Sequence, residues 1–185
     1  MLKHRIPIVK VFEFTSTAYI YPIFKNGATS LGRYIERNKC KILVNEQINR
    51  CNTITIYIRE PKERFISGVH TYIEFEKQKG NKIDYKTILK QIENKEITNE
   101  HFATQFEWIK KLAKYFDFWV EFVNVDQLYK LIPDRLGPPI PSMSNDVKKQ
   151  IADVKFDLKE DYIIWNEWLN KRENIKDFIN VLSKA

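Results

Sequence analysis

Cysteine is scarce: Cys40 and Cys51 are the only two in 185 residues. They have no metal-ligand spacing, and two thiols cannot build a disulfide scaffold. A free-thiol pair in a reducing compartment is expected, with a disulfide between them left open by sequence. Long apolar runs are also missing, so no membrane span is expected. Met1 to Pro7 is basic and lacks the apolar centre of a signal peptide, which makes a cytoplasmic protein the expectation. The three histidines are scattered without carboxylates at ligand spacing, so no metal site is expected. There is no Gly-Lys-Ser/Thr run and no evident Mg-binding Asp after a strand, which argues against a nucleotide-dependent phosphotransferase. Repeats, low-complexity stretches and a second-domain linker are absent too, so residues 1–185 read as one domain.

What is present describes an ordered chain with a real core: 43% hydrophobic and 14% aromatic residues. The net charge of +7 points to a polyanionic partner, such as nucleic acid, a multiply phosphorylated nucleotide or an acidic polysaccharide. A purely solubilising surface charge accounts for it equally well. The basic residues are dispersed among acidic ones, without the stripe expected of a nucleic-acid binder.

Periodicity predicts a short β-segment after Pro7 and an apolar strand over 18–24, followed by a helix ending near Lys39 and Cys40. A short strand is expected at 42–44. Thr53-Ile54-Thr55-Ile56-Tyr57-Ile58 is almost all β-branched or aromatic and reads as a strong strand. A helix follows from Pro61, a favoured first-turn residue. Residues 74–96 read as a charged, helical surface segment broken at Gly80-Asn81, with an apolar stripe of Ile83, Tyr85, Ile88, Leu89 and Ile92. A helix through Trp108 and Leu112, a strand at 118–123 and a helix at 125–131 come next. A Pro-rich loop spans 133–141, and 148–185 reads as an amphipathic helical tail. Trp108, Trp119, Trp165 and Trp168 are expected in the core, an exposed one being able to stack on a sugar or adenine. Alternating strands and helices predict an α/β layered fold with a mainly parallel sheet.

Two stretches carry chemistry. Lys25-Asn26-Gly27-Ala28-Thr29-Ser30 joins a strand to a helix, where free backbone N–H groups and the helix dipole favour an anion. Arg59-Glu60-Pro61-Lys62-Glu63-Arg64-Phe65-Ile66-Ser67 repeats that logic after the second strand. Both lie at carboxyl ends of strands, where parallel sheets bind their ligands.

Side by side, these stretches resemble the carbohydrate (Golgi-type) sulfotransferases, which use 3′-phosphoadenosine 5′-phosphosulfate (PAPS). The family's phosphosulfate loop, Pro-Lys-x-Gly-x-Thr/Ser-Ser/Thr, is similar to Phe24-Lys25-Asn26-Gly27-Ala28-Thr29-Ser30, with Phe24 in place of Pro. Its 3′-phosphate motif, Arg-x-Pro-x-x-Arg-x-x-Ser, is matched by Arg59, Pro61, Arg64 and Ser67. His101-Phe102-Ala103-Thr104-Gln105 resembles the family's His-Trp-x-Pro-Gln, with Phe for Trp and Thr for Pro. The stretch 115–122 is similar to the strand that follows in the family, and Asp161-Tyr162 resembles its C-terminal Asp-Tyr/Phe helix. The cysteines and membrane anchor of the secretory-pathway members are missing, which fits a small soluble version.

The resemblance implies a P-loop-like three-layer fold around a central, mainly parallel sheet, and a metal-independent enzyme. It would move a sulfuryl group from PAPS to an acceptor hydroxyl, a glycan first, leaving adenosine 3′,5′-bisphosphate. Lys25 would neutralise the leaving phosphate or bridge to the sulfuryl group. Asn26, Gly27, Ala28, Thr29 and Ser30 would hold the 5′-phosphosulfate, Thr29 and Ser30 being equally able to cap the helix. Arg59 and Ser67 would hold the 3′-phosphate. Arg64 would join them or pair with Glu60 or Glu63. His101 is the first candidate for the base that takes the acceptor proton, and Glu46 the second. A helix-start histidine with a structural hydrogen bond is the other reading of His101, and His70 is read as structural. The acceptor side is expected in 74–96 and 133–141. A basic nucleotide- or nucleic-acid-binding module without catalysis is the alternative function.

Overall fold

A computed structural model describes residues 9–15, 18–44, 47–48, 51–114, 117–132 and 143–184. The chain forms an α/β fold with a six-stranded mixed sheet. Its strands are β1 (Lys10–Glu13), β2 (Tyr19–Tyr21), β3 (Lys41–Val44), β4 (Thr53–Ile58), β5 (Trp119–Asn124) and β6 (Arg172–Asn174). The helices are α1 (Ala28–Arg37), α2 (Pro61–Gln78), α3 (Tyr85–Glu93), α4 (Gln105–Ala113), α5 (Val125–Leu131), α6 (Asn145–Ala152), α7 (Lys159–Ile163) and α8 (Ile175–Leu182).

The sheet order is β3-β1-β2-β4-β5-β6. Only β2, β4 and β5 run parallel, so the expectation of a mainly parallel sheet is corrected. β1 is antiparallel to both β2 and β3, and β6 is antiparallel to β5. The connection from β1 to β2 is too short to cross over a sheet, so the chain must reverse there. β6 was hidden in the tail because its three residues, Arg172, Glu173 and Asn174, are all polar. The expected helical tail is instead α6, α7, a π-helical turn (Ile164–Trp168), β6 and α8.

Alternation along the strands sends side chains to two cores. Tyr21, Ile54, Ile56, Ile58, Val120 and Phe122 pack with α4 and α8 residues such as Ile109, Leu112 and Phe178. Phe12, Ile20, Tyr57 and Val123 point the other way, onto Leu31 and Ile35 of α1 and Leu128 of α5. Helices therefore flank both faces. A further cluster joins α2, α3 and α6 through Phe65, Val69, Ile73, Leu89, Ile92 and Ile151. The segment expected on the surface at 74–96 thus contributes Leu89 and Ile92 to a core.

Trp108 is buried, while Trp165 and Trp168 are partly buried against the main core. Trp119 departs from the core expectation: it is 45% exposed, with the Arg172 guanidinium 5.3 Å from its ring centroid. Cys40 and Cys51 are free thiols. No helix among the described residues is long and apolar enough to cross a membrane. The Pro-rich stretch 133–141 lies outside the described residues.

At Gly68 helix α2 crosses the 101–103 segment with no room for a side chain. A Cβ there would lie 2.1 Å from the His101 carbonyl oxygen, and because that neighbour is backbone it cannot swing aside. Gly68→Ala should therefore cost at least about 2 kcal/mol, read as a lower urea midpoint. An unchanged midpoint would show that the 101–103 segment gives way freely.

Candidate functional site

The parallel register aligns Tyr21 with Ile56 and Ile58 with Asn124. The carboxyl ends of β2, β4 and β5 consequently share one edge of the sheet, and the segments carrying the two anion motifs leave from it.

After β2 the chain turns tightly, with the Asn26 N–H donating to the Ile23 carbonyl at 3.1 Å. Lys25 (φ 69°) and Gly27 (φ 79°) are both left-handed. Gly27 tolerates this freely, whereas Lys25 is held there at a cost of about 1 kcal/mol. A side chain at Gly27 would also meet Leu128 of α5, 2.8 Å away. This turn brings the Lys25 ammonium down onto α2, where it donates to Thr71 Oγ1 at 2.7 Å. The Thr71 hydroxyl in turn donates to the Ser67 carbonyl at 2.9 Å. Burial lowers Lys25 to about 8, with Arg59 and Arg64 pushing the same way.

Gly27 is the N-cap of α1 and offers no side-chain cap; the first turn holds no acidic residue. Thr29 and Ser30 lie inside the helix and do not cap it. The other described helices of eight or more residues all have a side-chain cap: Glu60, Asp84, Thr104, Ser144 and Asn174. Helix α1 alone among these starts with bare N–H groups. Thr29 is exposed there, and Ala28 and Ser30 are half-buried.

Arg59 leaves β4 toward this turn. Its Nη1 reaches the Lys25 carbonyl at 3.5 Å, and its Nη2 stands 4.0 Å from Glu63. Glu63 is drawn away by Lys148 at 3.0 Å, so the guanidinium is only loosely paired. Ser67 lies two turns further along α2, half-buried.

Arg64 is placed differently from either sequence expectation. It is 1% exposed, donates to the Ala103 carbonyl and pairs with neither Glu60 nor Glu63. Its Nε and Nη2 have no hydrogen-bond partner. Burial lowers it to about 10, opposed by the nearby charges of Asp161 and Glu107. Asp161 is itself fully buried, and burial lifts its carboxyl to about 6 against the pull of Arg64. Its two oxygens accept the N–H groups of Gln105 and Phe106 at 2.8 and 2.9 Å, anchoring the start of α4.

His101 stacks on Phe24, with ring centroids 5.2 Å apart, and meets Phe75 edge-on at the same distance. Phe24, standing where the resembling family has Pro, also packs on Trp108 at 5.0 Å. Burial lowers the His101 pKa, and Lys25 and Arg64 add to this, so the ring is neutral at pH 7. Its Nδ1 has no hydrogen-bond partner, and the ring packs on Phe24 and Phe75. The His101 backbone N–H donates to Asn99 Oδ1 at 3.0 Å, the structural hydrogen bond of the other reading. His70 is buried and its pKa is likewise lowered by burial. Glu46 lies outside the described residues. Among the described residues no group of three or more His, Cys, Asp or Glu could hold a metal ion.

The structure thus brings together Lys25, the 26–30 turn, Arg59 and the α2 face of Ser67 and Thr71, with His101 close enough to feel the Lys25 charge. Thr71 and Gln105 were given no role by sequence reasoning. Gln105 closes the 101–105 stretch, where an amide four residues after a histidine carries no further signal. Thr71 is visible only as Ser67 plus one helical turn. No family model, no curated protein and no solved structure matches the chain.

Two measurements test this geometry. An NMR titration of the lysine Cε resonances should show one group with a midpoint near pH 8, absent in Lys25→Arg. The folded value lies below the ordinary 10.5, so between these two pH values the unfolded chain holds more protons. Stability from this group accordingly rises with pH across that window. A Lys25 midpoint near 10.5 would contradict its burial beside Arg59. Asp161→Asn should cost about 3 kcal/mol in urea denaturation. An amide can accept from only one of the Gln105 and Phe106 N–H groups, and Arg64 loses the larger of two opposing charges. Adding Arg64→Met should recover at least ~1 kcal/mol of that loss. Simple additivity would show that the two groups do not interact.

Proposed function

We propose that this protein is a PAPS-dependent sulfotransferase, moving a sulfuryl group to an acceptor hydroxyl, with a glycan as the first candidate acceptor. The observation that carries the reading is a cationic pair, Lys25 and Arg59, whose carboxylate partner among the described residues is Glu63, 4.0 Å from Arg59 and shared with Lys148. The Arg59 guanidinium reaches the Lys25 carbonyl, the charges of Arg59 and Arg64 both lower the Lys25 pKa, and the turn leads straight into α1, which has no side-chain cap. Holding like charges together is unfavourable unless an anion joins them, and uncapped N–H groups favour the same partner. Two phosphate-sized charges match the two loops that supply these groups. The P-loop-like three-layer fold belongs to the same proposal, supported by helices on both faces of the sheet and by the strand–turn–helix from β2 to α1.

Bound PAPS would supply the activated sulfuryl group. Gly27, Ala28, Thr29 and Ser30 would grip its 5′ end through N–H and hydroxyl donors, Asn26 holding the turn in shape from beneath. Arg59 and Ser67 would grip its 3′-phosphate. Arg64, packed behind the loops, adds positive potential without contact. Lys25 would neutralise charge gathering on the departing phosphate oxygen. His101, neutral at pH 7, would accept the proton of the attacking hydroxyl. The acceptor oxygen gains the bond to sulfur as the bond from sulfur to the phosphate oxygen breaks.

Thermal-shift titration with adenosine 3′,5′-bisphosphate tests the reading. The expected result is a rise of several degrees without Mg, larger than with ATP, and lost in Arg59→Ala. No rise at concentrations well above micromolar would overturn it and favour a binding module without catalysis.

A further inference from the structure

Every polar atom of the Gln105 side chain is spent on the two anion-motif segments. Its Oε1 accepts from Asn26 Nδ2 at 2.7 Å and from the Arg59 N–H at 3.0 Å. Its Nε2 donates to the Arg59 carbonyl at 3.0 Å. Asn26 Nδ2 also donates to the Tyr57 carbonyl at 2.8 Å, binding the turn to the end of β4. Gln105 and Asn26 are 0% and 2% exposed, so these bonds do not compete with water. The backbone N–H of Gln105 is itself fixed by buried Asp161. One side chain therefore spans residue 26, residue 59 and, through its backbone, the segment around residue 161.

From this we infer that Gln105 is a positioning residue that sets the spacing between the two anion-binding loops, so that they order and open as one unit. The inference rests on the function proposed above only for what the loops hold; the coupling itself is independent of any ligand. It also explains the site's build. Lys25 and Arg59 repel each other, and without a tie between the loops that repulsion would spread them. Gln105 supplies most of that tie, beside the direct Asn26–Tyr57 bond, and does so with neutral groups that leave the positive potential intact. A shorter amide could not reach both loops, and an apolar side chain would leave the Arg59 N–H and carbonyl and the Asn26 amide without this partner.

Native-state hydrogen exchange on the wild type gives the first test, with increasing urea. The Asn26 amide, bonded to the Ile23 carbonyl, and the Arg59 amide, bonded to Gln105, should exchange through one common opening. Distinct opening energies and urea dependences for the two would overturn the inference. In Gln105→Met both amides should lose protection together while the β4–β5 ladder keeps its own. Loss at Arg59 alone would show a local bond and no coupling. Should that variant fail to fold, Asn26→Ala cuts one arm: the 23–27 turn should loosen while the Arg59 amide stays protected. If Arg59 instead loosens with it by another route, the assignment to Gln105 fails.

Ligand binding separates positioning from simple structural support. Adenosine 5′-monophosphate engages one loop and adenosine 3′,5′-bisphosphate both, so the ratio of their affinities reads the spacing. Gln105→Met should shrink that ratio about tenfold. An unchanged ratio with unchanged exchange would overturn the inference while the functional reading stands. Coupled exchange in a protein that binds neither nucleotide would leave the inference standing and overturn the functional reading.

Discussion

Gln105 offers one oxygen and one nitrogen at the end of its side chain, and the two together hold the turn after β2 against the turn after β4. The rest of the site depends on that bracket. Lys25 can face Thr71 because the turn is fixed, and Arg59 can stand beside Lys25 because its backbone is fixed on both sides. The bracket depends in turn on Asp161, whose buried carboxylate pins the first N–H groups of α4. Arg64 balances that carboxylate from within, which gives a buried guanidinium a role without contact with solvent.

The site is electrostatically one-sided. Its cations are Lys25 and Arg59, with Glu63 shared between Arg59 and Lys148; Arg64 behind them is opposed by Asp161 and Glu107. What remains is net positive charge next to a helix start that has no side-chain cap. Such an arrangement raises the free energy of the empty protein slightly and lowers that of an anion complex, a trade common where binding is the task. The aromatic packing of Phe24, His101 and Phe75 does related work on one face, keeping an imidazole neutral by surrounding it with rings.

Much of this was legible in the sequence, for identifiable reasons. β4 could be read because six β-branched or aromatic residues stand in a row, and the start of α2 because Pro61 marks it. α5 was expected over the same residues, 125–131, and the structure adds Asn124 as its cap. β6 could not, because Arg172-Glu173-Asn174 pairs through backbone alone and its side chains carry no strand signal. The sense of β1 depends on a chain reversal that residue types do not report. Local spacing offered Arg64 as a phosphate ligand or as a partner of Glu60 or Glu63; instead it is buried near the charge of Asp161, ninety-odd residues on, which no local pattern ties to it. Gln105 was visible as a residue but not as a bracket, since its partners lie in two other segments.

Chemical-shift mapping of the backbone amides during titration with adenosine 3′,5′-bisphosphate bears most directly on the claim that the two loops form one anion site. The account predicts that the large shifts fall together on Asn26 to Ser30, on Arg59 and on the Ser67–Thr71 face of α2, with a single binding curve. Shifts scattered over the lysines of other faces, or confined to one loop with the other silent, would contradict it.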